Sequence, residues 1–145
     1  MGLAGWFIAT PVAVWAIVLC GIDIRTLRLP NALTLGGALG ILAVAFGRGV
    51  GVPALCGGLA LTVIYLVVHV IAPAGLGGGD VKLALALGAL TGSFGVGAWF
   101  LAAVAAPVGT AILGLIGAAR GRRAALPHGP AMLLASLTAV LLALS

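Results

Sequence analysis

The chain has 145 residues, of which 63% are hydrophobic and 6% charged, and its mean hydropathy is +1.37. A water-soluble domain of this length has about a quarter of its residues charged, so this composition excludes one and predicts a polytopic membrane protein. The net charge of +5 comes from basic residues scattered singly or in short loop clusters, so the bilayer and not nucleic acid is the expected partner.

A spanning helix needs about 20 apolar residues to cross ~30 Å of hydrocarbon. The first candidate runs from Leu3 to Ile22 without a charge. Met1-Gly2-Leu3-Ala4 lacks the basic start of a cleaved signal, so this segment is expected to be retained. The second opens after Pro30-Asn31 and runs to about Phe46, because proline is tolerated where the first turn needs no donor. The third runs from Val52 to Ala72 and stops at Pro73-Ala74-Gly75.

From Leu83 to Ala119 there is no charge, and Thr91-Gly92-Ser93 interrupts the run like a turn. At ~1.5 Å per residue this is ~55 Å of helix, short of two crossings, so the fourth helix must start at or before Asp80. The fifth is expected over about Phe94–Gly117 and the sixth over Pro127–Leu144. The fold class is thus an all-α bundle of about six transmembrane helices, a single domain over 1–145.

Arg25, Arg28, Lys82, Arg120, Arg122 and Arg123 fall in odd-numbered loops, and Arg48 alone in an even one. The positive-inside rule then turns the odd loops to the cytoplasm and both termini outward, with Trp6 and Trp99 near the outer interface. Cys20 and Cys56 form no Cys-x-x-Cys pair, so neither zinc nor redox chemistry is expected, and both read as small buried hydrophobes. Gly36-x-x-x-Gly40 and Gly88-x-x-x-Gly92 read as helix-packing surfaces, and His69 as a hydrogen-bonded packing residue.

Asp23 and Asp80 are the only acidic residues in the chain. A carboxylate beside hydrocarbon costs several kcal/mol unless solvated or paired, which makes it a functional candidate. Taken singly, each acid could be an interfacial residue neutralised by Arg25 or Lys82. The charge-derived topology, however, puts both at the same side of the membrane, as a catalytic pair requires.

Asp23-x-Arg25-x-x-x-Leu29-Pro30-Asn31, Gly77-x-Gly79-Asp80-x-Lys82-Leu83 and Pro127-His128-Gly129-Pro130 resemble the three motifs of the type IV prepilin peptidases, membrane aspartyl proteases of the Gly-x-Gly-Asp type. The resemblance spans essentially the whole chain and departs at Leu29, where isoleucine is common, and at His128, where an aromatic is frequent. It implies that Asp23 and Asp80 are catalytic and that Gly77, Gly79, Lys82, Arg25, Pro30, Asn31 and His128 support the site or bind substrate. It also implies a bacterial inner-membrane enzyme that removes the leader from prepilin or pseudopilin N-terminal segments at the cytoplasmic face, in type IV pilus assembly or protein secretion. The cytoplasmic insertion with paired Cys-x-x-Cys motifs found in bifunctional members is absent, so the short, peptidase-only form is expected, without N-methyl transfer.

Two carboxyls sharing a site do not both ionise easily, so one holds a proton while the other activates water. Neither metal nor organic cofactor is needed. Helix dipoles favour Asp80 as the base, with Arg25 and Lys82 able to reverse that order. The glycines at 77–79 either admit an extended substrate backbone beside the acid or simply end a loop. Asn31 either caps the second helix or bonds near the acids. Two other functions stay in view: a proton- or ion-conducting protein, which calls for acids near the midplane and internal repeats, and a non-catalytic assembly factor.

Overall fold

The computed structural model describes residues 3–73, 75–121 and 128–145, with side chains from Thr10 onward. Trp6, Arg122, Arg123 and Pro127, named above, therefore lie wholly or in their side chains outside the described residues. Among the described residues there are six helices and no strand: α1 (Leu3–Thr26), α2 (Asn31–Gly47), α3 (Gly51–Ile71), α4 (Gly78–Gly92), α5 (Val96–Ala119) and α6 (Gly129–Leu144). Two of them, α3 and α5, are long and apolar enough to cross a membrane, and α2 and α6 are shorter apolar helices. The surface is apolar as well: Ile17, Val70, Ile71, Val96 and Leu115 all stand exposed.

Helix α1 continues one turn beyond the apolar run, because Asp23, Ile24 and Arg25 end the hydropathy signal without ending the backbone ladder. It closes at Thr26, whose hydroxyl bonds Ile22 O at 2.9 Å, and the Leu27 N–H bonds Asp23 O at 2.9 Å. Leu27 takes φ 51°, a left-handed conformation that usually falls to glycine. That bend turns the chain so that Leu29 is buried while Arg28 stays exposed. Pro30 then precedes α2 in extended geometry, with φ −62° and ψ 131°.

Helix α4 is the hub. Leu83, Ala84, Ala86, Leu87, Gly88, Ala89, Leu90 and Thr91 are all buried, and the helix packs on α2, α3, α5 and α6. Its closest neighbour is α3, reached through glycine on both sides. A Cβ at Gly57 would lie 2.6 Å from Gly88 O, and one at Gly88 would lie 2.5 Å from Gly57 O. Backbone touches backbone there, as small residues permit in membrane bundles. Gly88 and Gly92 thus form the packing surface expected of them.

The second glycine pair differs. Gly36 and Gly40 are exposed with nothing within 4 Å of their missing side chains, because α2 turns Gly37 inward against the Trp15 indole. Cys56 is likewise exposed, whereas Cys20 packs partly against the core. Indole N–H groups tie helices together: Trp15 Nε1 donates to Leu33 O at 2.8 Å, and Trp99 Nε1 to Gly57 O at 2.9 Å. Helix α1 packs chiefly on α6 and touches α2 lightly.

Candidate active site

Asp80 occupies the first turn of α4, where backbone N–H groups lack partners within the helix. Its Oδ2 accepts a hydrogen bond from Gly77 N at 3.1 Å, while Asp80 N donates back to Gly77 O at 3.1 Å. The carboxylate thereby caps its own helix at the positive end of the dipole. A Cβ on Gly77 would lie 3.2 Å from Asp80 Oδ2, which is tight.

Asp23 comes from the last turns of α1 and is held by a residue 106 positions away: Gly129 N donates to Asp23 Oδ2 at 3.1 Å. Gly129 opens α6, so the N-terminus of that helix faces this acid. A Cβ at Gly129 would meet Asp23 Oδ2 at 2.6 Å, so any larger residue there would push the carboxylate aside. The C-terminus of α1 disfavours a negative charge on Asp23, but the N-terminus of α6 offsets it. Helix dipoles therefore no longer single out Asp80 as the base.

Both acids are buried, Asp23 at 5% and Asp80 at 8% exposure. They belong to helices that scarcely touch, yet Asp23 lies near enough for its charge to act on Asp80. Neither is neutralised by the cation that sequence places beside it. Lys82 Nζ instead donates to Asn31 Oδ1 at 2.7 Å, which ties the first turn of α4 to the first residue of α2. Asn31 makes no side-chain cap for α2, and its side-chain oxygen is taken up by Lys82 in an exposed bond. Arg25 is exposed at the end of α1.

Leu29 is buried against the start of α4, while Pro30 is exposed. A Cβ on Gly79 would lie 3.1 Å from Leu29 Cβ and 3.4 Å from Leu29 N. The close approach at Gly79 is thus made by the chain's own α1–α2 connection. His69 Nδ1 pairs with Leu76 O at 2.6 Å and steadies the turn ahead of Gly77, in keeping with its expected packing role.

His128 is buried just before α6. Its Nε2 lies 3.1 Å from Tyr65 Oη and its Nδ1 2.6 Å from Thr110 Oγ1. Tyr65 also lies within electrostatic reach of Asp80. Tyr65, Thr110 and the Gly129 donor are site residues that sequence reasoning did not single out. Tyr65 is the only tyrosine in the chain, and Thr110 is a hydroxyl in an otherwise apolar helix. Each was a visible oddity, but nothing local joined them.

The arrangement offers two buried carboxyls from separate helices, each holding one backbone N–H and each with an oxygen left for other partners. No curated protein and no solved structure matches the chain. A family model does, over residues 11–144, and by it the chain belongs to the type IV leader peptidase family and hence to the proteases.

Proposed function

We propose that the protein is a membrane-embedded aspartic endopeptidase that removes the short leader from type IV prepilin-like proteins, with Asp23 and Asp80 as its catalytic pair. What supports this reading is that the chain's only two acids are both buried, each oriented by a backbone N–H, with Asp23 within electrostatic reach of Asp80. All six helices span the bilayer in this reading, the termini face outward and the acids open toward the cytoplasm of a bacterial inner membrane. The basic loops support that orientation, since six of the seven Lys and Arg residues share the acids' side.

The chemistry needs one carboxyl ionised and one protonated, the state that two acids in a shared site adopt. The ionised member takes a proton from water as the water oxygen attacks the scissile carbonyl carbon. The protonated member donates to the carbonyl oxygen, which gives a neutral tetrahedral intermediate. Collapse of that intermediate returns a proton to the departing amine and frees the mature chain. Gly77 and Gly129 hold one oxygen of each acid and leave the other free to face the substrate. The pair titrates as a unit, so neither aspartate is assigned the base alone.

Asp23→Asn and Asp80→Asn test the proposal in cells that lack their own prepilin peptidase. Each variant should reach the membrane at normal levels and leave the leader attached, with a rate loss of at least ~10³-fold. Leader removal at the normal rate by either variant would overturn the aspartyl mechanism. Mass spectrometry of the product should show a free, unmethylated N-terminus, in line with a peptidase-only chain.

A further inference from the structure

His128 lies beside the donor that holds Asp23, and both of its ring nitrogens are hydrogen-bonded. Thr110 Oγ1 donates its single proton to Ala106 O at 3.1 Å within α5. The same hydroxyl lies 2.6 Å from His128 Nδ1, which ties the ring to α5. Nε2 pairs with the Tyr65 hydroxyl at 3.1 Å, and in the neutral ring one nitrogen donates while the other accepts. The two rings stand 5.7 Å apart, tilted by 39°, and Tyr65 and His128 are both buried. Burial also pushes the His128 imidazole below its ordinary value, which keeps this neutral form at neutral pH.

One ring therefore joins α3, through Tyr65, to α5, through Thr110, at the turn that opens α6. The next residue along the chain, Gly129, supplies the N–H that Asp23 accepts. The peptide bond between His128 and Gly129 is rigid, so only the rotation about the His128 Cα–C bond separates the clamped residue from that N–H. Resting on the peptidase reading above, we propose that His128 is a positioning residue: clamped between Tyr65 and Thr110, it holds the Gly129 N–H against Asp23 and so sets the spacing of the acid pair. Displacing a reacting group by about 1 Å can cost ~10²-fold in rate, so loosening the clamp should be visible in catalysis.

The test uses the full chain in lipid nanodiscs and a synthetic prepilin-type leader peptide, with Asp23→Asn as the blank. Tyr65→Phe and Thr110→Val each remove one arm of the clamp at nearly constant volume, and Thr110→Ser restores the hydroxyl. The first two should lower kcat by ~10- to 100-fold with KM changed much less, and Thr110→Ser should recover most of the rate. Hydrogen exchange at the Gly129 amide gives a second readout that needs no substrate. It should quicken in Tyr65→Phe and Thr110→Val and return toward normal in Thr110→Ser. Unchanged exchange at Gly129 in both variants would overturn the role of His128, whatever happens to activity. If the unaltered chain cleaves no prepilin leader, the peptidase proposal falls, while exchange at Gly129 still decides whether the clamp holds Asp23.

Discussion

The two acids are held in opposite ways. Asp80 is fixed by its own neighbourhood: its partner Gly77 is three residues upstream, and its helix is wedged among four others. Asp23 rides on α1, which packs mainly on α6, and depends on a donor from the far end of the chain. One half of the site is built into the hub, and the other is docked onto it. Substitutions in the hub should therefore damage the fold, whereas substitutions at the docking points should damage the chemistry while leaving much of the fold intact.

The largest effect on stability is expected in the hub. Gly88→Ala drives a methyl into Gly57 O, a backbone atom that cannot rotate away. Overpacking of this kind should destabilise by about 3 kcal/mol, measured by unfolding in mixed micelles. Gly129→Ala should reverse the balance. Its methyl strikes the Asp23 carboxylate, so leader cleavage should fall ~10²-fold with a stability loss of only about 1 kcal/mol. Gly77→Ala, whose Cβ would sit 3.2 Å from Asp80 Oδ2, should be milder, about tenfold in rate. A Gly77 variant more damaging than the Gly129 one would invert the comparison.

A smaller effect is expected where α1 is pinned to α2. Trp15→Phe loses the bond to Leu33 O and should cost about 1 kcal/mol, with protease cleavage near the α1–α2 connection rising before any cut in α3 or α4. Acidification gives the mildest probe. Because burial lowers the His128 value from 6.5, the unfolded chain takes up that proton more readily than the folded one. The contribution is thus absent at neutral pH and destabilising as pH falls below about 6.5. His128→Gln should therefore remove a destabilising contribution over that window, read as a smaller loss of unfolding midpoint, or a larger gain, than in the unaltered chain as pH falls.

This division also explains what the sequence made legible. Helix α4 and its acid could be located because the length of an uncharged run and the spacing of Gly77 and Asp80 are local quantities. The six helices followed from hydropathy, although the end of α1 was read as Ile22 because charge interrupts hydropathy before it interrupts hydrogen bonding. Gly88 and Gly36 open the same spacing pattern, but only Gly88 meets a partner, since a stripe of small residues does not say what faces it. The Gly129–Asp23 bond was hidden by its 106-residue separation. The Tyr65–His128–Thr110 cluster was hidden because α3, α5 and the start of α6 must be packed before the residues meet.

Helix α4 has 15 residues, or ~22 Å of rise, against ~30 Å of hydrocarbon. A lipid-facing helix so short would thin the bilayer around it or tilt its neighbours. Here α4 is screened by the helices around it, so the mismatch falls on the protein's interior and not on lipid. If the six helices span the bilayer as proposed, the missing length would leave Asp80 below the level of the headgroups, and a hydrolase there would need a path for the water it consumes.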